Sequence, residues 1–459
     1  MLWRMRTSLN FGVAAGLAAI VASGMALQGQ APALVLVGAH VLPMDRERVI
    51  ERQTLVIRDG RIVEMGAAGS VAPPAGAQVV DLAGKYVMPA LGEMHGHLAG
   101  PNAALNERIL ALNVAYGVLT LRSMQGHPAQ LTLRDRVANG ELAGPRIYTA
   151  GPSANGQSVT TPAAGAQMAR DQKAAGYDLI KIHPGVPLDA FNALAKTARD
   201  VGIPFAGHVP AAVGVHRAIG AGYRSIDHLD GYAEAALRDG VTIGAGGSGF
   251  FGTLIAADLD DSKIPALVQK TKAAGVWVVP TETLMLNFAG TEAVDAMMKR
   301  PEIAYIPADL RAQWEKGLRG FRSGPQNPTT AQRTRLMAFR ATLLRQMQDA
   351  GVGILLGADS PQILNVPGIA THQELAAVVK AGLTPYEALA SGTRNVAVYF
   401  GAEKEEGTVA KGMRANLLVL DANPLQDVTR TQDRAGVVHN GTWHDRAALD
   451  RMLATLRVP

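Results

Sequence analysis

The chain has 459 residues, 48% of them hydrophobic and 18% charged, which is enough apolar material for one large domain and a smaller companion. Aromatic residues make up only 5%, and the formal net charge of +5 contains no run of five or six basic residues, which argues against a nucleic-acid stacking platform. The sequence contains no cysteine, so disulfides, thiolate metal sites and cysteine nucleophiles are excluded.

At the N-terminus, Arg4 and Arg6 precede an apolar stretch from Phe11 to about Leu27. The stretch is short for a membrane span, and Gly24 and Ala26 supply the small residues of a cleavage site. Residues 1–26 therefore read as a signal peptide cut after Ala26, with the mature chain exported to the periplasm or secreted. An uncleaved anchor is the alternative. Cleavage would remove Arg4 and Arg6 and take the formal charge from +5 to +3. No later stretch supplies the ~18 uninterrupted apolar residues of a transmembrane helix.

From Ala33 to Met88 the pattern is short strands and tight turns: Ala33–Val37, Gln53–Gly60, Arg61–Met65 and Gln78–Leu82. Asp59-Gly60 between two such runs is a strong hairpin signal. The same texture returns at Gly407-Thr-Val, Ala415–Asp421 and Gly436–Gly441. Residues 33–88 and 403–459 are thus expected to form one composite β-sandwich domain from both flanks. Between them, over residues 89–402, an apolar strand, a loop and a helix repeat. The strands are the one ending at Met94, then Val118–Leu121, Arg146–Ala150, Leu179–His183, Pro204–Val209, Ser225–Leu229, Trp277–Thr281 and Ile354–Asp359. Helices such as Leu188–Val201 and Pro210–Ala221 separate them, each closed by glycine. Eight such units fit an α/β (β/α)8 TIM-like barrel. An open doubly wound sheet would want a Gly-rich phosphate turn after the first strand, which is missing. Two long intervals, 240–274 and 284–353, leave strands at the end where barrel active sites form and are candidate lids. The glycines of Gly244–Gly252 read as a surface loop.

The chemistry gathers at the strand ends. In Met94-His95-Gly96-His97, residues i and i+2 face one side of an extended strand, so two imidazoles can converge on one point. In Leu179–His183, alternation puts Lys181 and His183 on the same side. A lysine aimed into a barrel mouth is costly unless its charge is paired or removed, and burial favours the neutral amine. A neutral amine can take up carbon dioxide as a carbamate; pairing with a carboxylate is the alternative. His208 and His228 end two consecutive strands, with Gly207 leaving room for close approach, and Asp359 ends the last strand. Imidazoles and carboxylates make up zinc-type shells, although each residue alone also reads as a satisfied polar residue.

This order of ligand types resembles the amidohydrolase superfamily, in its imidazolonepropionase-like and Xaa-Pro dipeptidase-like branch, over nearly the whole mature chain. Supporting phrases are Asp81–Pro89, Leu133-Arg-Asp, Gly140–Arg146, His372-Gln-Glu-Leu, Ala381–Leu389 and Asn423-Pro-Leu. Two phrases depart from the family pattern. Pro89-Ala-Leu-Gly-Glu93 stands where Pro-Gly-Leu-Ile-Asp is usual, and Ala415-Asn416-Leu417 where Ala-Asp-Leu is usual. The resemblance implies two divalent ions, zinc for preference. His95 and His97 would hold the more buried ion and His208 and His228 the more exposed one. Carboxylated Lys181 would bridge them, with Asp359 on the buried ion and acting as general base toward the bridging water. It further implies hydrolysis of an amide or peptide bond in a small substrate, a dipeptide or N-acyl amino acid. The same site could instead cleave an ester, lactone or phosphoester. A one-metal deaminase or cyclic-amide hydrolase and a non-catalytic exported binding protein complete the alternatives. Self-association is compatible with all of them.

Three further residues are candidates for substrate contact: His183 beside Lys181, Tyr232 shortly after His228, and Arg122 just past the second barrel strand. His127, His216 and His372 fall in loops or helices and are read as non-ligands.

Overall fold

The computed structural model describes residues 32–244 and 246–458; the expected signal peptide lies outside the described residues. In chain order the strands are Leu34–Val41 (β1), Ile50–Arg58 (β2), Arg61–Ala67 (β3), Gln78–Asp81 (β4), Tyr86–Pro89 (β5), Leu91–Gly96 (β6), Val118–Ser123 (β7) and Arg146–Thr149 (β8). They continue with Ile180–Ile182 (β9), Phe205–Gly207 (β10), Ser225–Asp227 (β11), Trp277–Val279 (β12), Leu417–Leu420 (β13), Arg434–His439 (β14) and Thr442–Asp445 (β15).

The flanks build one sheet of order β15-β14-β13-β5-β1-β2-β3, with β4 pairing β1. Its two halves meet where β13 runs antiparallel to β5, Leu418 opposite Met88. The Asp59-Gly60 turn folds as expected, both residues having positive φ (49° and 71°), the geometry of a twisted two-residue hairpin. Alternate residues of these strands, among them Leu34, Leu36, Leu55, Ile57, Leu417 and Val419, form a buried cluster of their own.

The central strands pair in parallel as two runs, β6-β7-β8 and β9-β10-β11-β12. Isolated parallel bridges lie in the gaps: Ala150 with Leu179, Val278 with Ile354, and Gly96 with Ser360. The eighth expected strand, Ile354–Asp359, forms no continuous ladder. Asp359 takes a left-handed φ of 61°, which breaks the extended repeat. The segment still sits between neighbours: Leu355 N–H donates to Val278 O and Met94 N–H to Leu356 O, both at 2.9 Å, and His97 N–H donates to Ser360 O at 2.7 Å.

Helix Leu188–Val201 has the expected bounds and ends at Gly202 in the left-handed region. The next helix starts at Gly214 rather than Pro210, because Val213 and Gly214 N–H groups close a turn on Pro210 O. The two long intervals are only partly insertions. Helix Ile264–Ala273 buries Leu267 and Val268, and helix Thr330–Asp349 buries Leu336, Phe339, Leu343, Leu344 and Met347. Both pack in the main core, so residues 264–273 and 330–349 are framework rather than lid. Of the two intervals read as candidate lids, these two helices are therefore excluded from that role.

Candidate metal centre

The side chains predicted from the strand ends converge. His97 Nε2 lies 2.6 Å from Asp359 Oδ1, and His95 Nε2 lies 3.7 Å from the same oxygen. Lys181 Nζ sits 3.1 Å from His95 Nε2. Among the described residues, His95, His97 and Asp359 each offer a ligand atom within 4.8 Å of one another. His228 and His208 stand beside this group: the rings of His95 and His228 are 4.4 Å apart, and those of His228 and His208 4.6 Å. Close approach at this point depends on Gly207. Its φ is +122°, and a Cβ there would come within 2.6 Å of Ile182 O and 2.7 Å of Lys181 Cδ.

Each histidine of the second pair is held by one ring nitrogen. His228 Nδ1 is 2.9 Å from Thr281 Oγ1, and His208 Nδ1 is 3.2 Å from Asp230 Oδ2. His228 Nε2 is then left buried with no hydrogen-bond partner among the described residues, as is His97 Nδ1. Buried polar atoms are seldom left this way, and anchoring the far ring nitrogen is how proteins orient metal-binding imidazoles. His95 Nδ1 lies 2.8 Å from Asp227 Oδ2 without meeting the geometry of a directed hydrogen bond. Burial, followed by the Lys181 charge, holds His95 well below the ordinary histidine range and His208 down at about 3. Burial, then the neighbouring His95, does the same to His228. The neutral imidazole is the form that ligates a metal. The donor set therefore fits a divalent cation.

Several residues that brace the cluster were not singled out as site residues in the sequence. Buried Asp227 accepts from Arg122 Nη2 and from Ser225 Oγ while facing His95. Glu93, at the first departure from the family phrase, joins both ligand-bearing segments. Its Oε1 accepts from His95 N–H at 3.0 Å and Ala358 N–H at 2.9 Å, and Oε2 accepts from Thr371 Oγ1 at 2.8 Å. Burial pushes its carboxyl up to about 8. At the second departure, Asn416 Oδ1 accepts from Asn440 N–H, an acceptor role that an aspartate could also fill. Arg340, buried on helix Thr330–Asp349, donates to His228 O and Pro280 O, each at 2.7 Å, and to Glu282 Oε1.

Two of the three substrate-contact candidates are corrected. Arg122 is fully buried and spends its nitrogens on Met94 O, Ser225 Oγ, Tyr399 OH and Asp227, leaving nothing for a substrate carboxylate. Tyr232 is also fully buried; its hydroxyl meets Thr271 Oγ1 at 2.8 Å, on the helix side rather than at the mouth. His183 is only partly buried, with its ring 5.1 Å from that of His208. The three histidines read as non-ligands stay outside the cluster: His372 is satisfied by Thr431 Oγ1 and Tyr116 O, His127 caps a helix, and His216 faces Lys270. The Gly-rich loop lies at the surface as read over Gly244, Gly246 and Gly247, which are exposed, but its far end turns inward. Phe251 folds back over the site, its ring stacked on His228 at 4.8 Å and on His208 at 5.9 Å. Gly252 allows this turn, with a φ of +93° and no room for a Cβ, which would meet Ala233 Cβ at 2.5 Å.

The ends of the parallel strands thus gather histidines around Asp359 in an arrangement that could hold a metal ion. Residues 86–443 match the Amidohydrolase family, and the chain belongs to that family, whose members act on carbon–nitrogen bonds. Ochratoxinase from Aspergillus niger is 36% identical over 92 residues, which span 20% of this chain and 18% of that protein. Among solved structures, bottromycin amidohydrolase superposes with a TM-score of 0.69 at 21% identity, covering 92% of this chain and 89% of that one. A Xaa-Pro dipeptidase with bound methionine in the active site superposes with a TM-score of 0.64 at 19% identity, covering 90% of this chain and all of that one. These two likenesses concern the fold. Among the described residues, no helix is long and apolar enough to cross a membrane.

Proposed function

We propose that this chain hydrolyses an amide or peptide bond of a small substrate, of the dipeptide or N-acyl amino acid class, at a centre for two divalent ions. The observation that carries the reading is the approach of Lys181 Nζ to His95 Nε2 beside Asp359. His95, His97 and Asp359 would hold one ion, His208 and His228 the other, and Lys181 as its carbamate would join them. Burial lowers the Lys181 amine to about 8, which enlarges the neutral fraction able to react with carbon dioxide. Divalent ions at this position, zinc for preference, would supply acidification of a water and polarisation of the scissile carbonyl. Asp359 Oδ1 takes the proton released by the attacking water and returns it to the leaving amine. Asp227, Asp230 and Thr281 keep the imidazoles turned toward the centre, while Phe251 covers two of them and limits water. His183 stands at the rim, where it can meet the substrate.

The proposal includes closure of the central strands into a (β/α)8 barrel, supported by the bridges between β8 and β9, β12 and Ile354, and Ser360 and β6. It also includes the division into residues 89–402 and a β-sandwich domain of 33–88 with 403–459, and export directed by residues 1–26.

Metal analysis of purified protein should give two ions per chain, with a sharp fall in Lys181→Ala. One ion per chain, unaffected by that change, would refute the bridged centre. A panel of dipeptides and N-acyl amino acids, set against esters and lactones, then tests the bond. Turnover confined to the esters would overturn the amide assignment.

A further inference from the structure

A cavity of about 470 Å³ opens directly beside His208, a size suited to a small organic group. Its walls include Val209, Pro210, Ile243, Phe250 and Phe251, and its acids are Asp230 and Glu234. Among the described residues, no lysine or arginine lines it. Asp230 is already occupied, its Oδ2 accepting from Val209 N–H at 3.0 Å and facing His208 Nδ1. Glu234 is only half engaged: Ser248 hydrogen-bonds its carboxyl, while Oε2 is buried with no partner among the described residues. An acceptor left so in an apolar surround is costly. Phe251 adds a second observation. It holds φ 51° and ψ 41° inside its helical turn, a conformation that a bulky side chain rarely adopts and that tends to mark ligand sites.

We propose that this cavity is the subsite for one substituent of the substrate, and that Glu234 selects an apolar stem ending in an ammonium group. Aromatic faces and a carboxylate, with no competing cation, are the surroundings that favour such a group. A substituent ending in a carboxylate would meet two acids and be rejected. The inference rests on the amide hydrolysis proposed above. It adds which substrates are chosen, and it places Glu234 and Phe251 in that choice.

The test uses three amides that share one scissile bond and differ in the acyl group: 6-aminohexanoyl, hexanoyl and 5-carboxypentanoyl. Wild-type kcat/KM should favour the amine over the plain chain by about tenfold or more, with the acid slowest. Glu234→Gln should bring the amine-to-hexanoyl ratio down toward one, chiefly through KM for the amine. Equal rates for all three in the wild type, or an unchanged ratio in Glu234→Gln, would overturn the inference while leaving amide hydrolysis standing. Calorimetric binding of hexylamine reads the subsite without turnover. It should weaken about tenfold in Glu234→Gln, and equal binding by both proteins would overturn the inference even if no amide were cleaved.

Discussion

Replacing Asp359 by asparagine should lower kcat by about 10²- to 10⁴-fold, the range expected when a positioned general base is removed. The change is nearly isosteric, so the extended segment between β12 and β6 should persist. The amide, however, cannot accept and return a proton. Asp359 Oδ1 stands 2.6 Å from His97 Nε2 and 3.7 Å from His95 Nε2, so the substitution also removes a negative charge from the proposed ion shell. Assays at saturating added zinc, with metal content measured on the same sample, separate the two effects. An effect on proton transfer lowers kcat with KM nearly unchanged. A variant that keeps both its metal and more than about a tenth of kcat would take Asp359 out of the proton path.

Arg340→Met should be the most destabilising change on the framework, costing about 3–5 kcal/mol, as found when one partner of a buried ion pair is removed. Arg340 and Glu282 are both almost fully buried. Without the guanidinium, Glu282 is left as an unpaired buried charge, His228 O loses its side-chain donor, and Pro280 O keeps only Thr281 Oγ1. His228 itself holds a positive φ of 65°, a backbone state that persists only where the surroundings over-determine it. The loss should therefore appear twice: as a lower chemical-denaturation midpoint, and as weaker binding of an ion at the His228 side. Adding Glu282→Leu should recover part of the stability, since the stranded charge goes too. A single variant with a wild-type midpoint would show that Arg340 does not brace the site.

What could be read from the sequence follows from the range over which each signal acts. His95 and His97 were visible because strand alternation is a two-residue rule, and Lys181 for the same reason. His208, His228 and Asp359 were visible because apolar runs mark where strands stop. The residues that support them obey no such local rule. Arg340 reaches His228 across 112 positions, and Glu93 reaches Ala358 across 265. In the sequence each is one more charged residue on a helix or strand. Asp227 and Asp230 flank His228 within three positions, and an acid beside a histidine in Ser225-Ile-Asp-His-Leu-Asp230 was the one local hint available for them. Arg122 and Tyr232 show the opposite failure. A polar residue just past a strand end resembles a substrate contact, and only the packing shows Arg122 inside among the strands and Tyr232 turned toward a neighbouring helix. The eighth strand was overdrawn because its hydrophobic run carries no sign of the left-handed turn at Asp359.

The sheet stitched from both flanks has a consequence for how the chain is made. Tyr86 on β5 pairs with Leu420 on β13, about 330 residues later. At roughly 5–20 residues per second of synthesis, β5 waits for tens of seconds before its partner exists. During that interval β1 to β5 can pair only among themselves, with one edge open, the state most exposed to pairing with another chain. Contacts of such long range also slow the final closure relative to the local strand–helix units. The central region, whose repeats contact their sequence neighbours, is then free to assemble first and hold the two flanks at the distance from which the last strand pair can form.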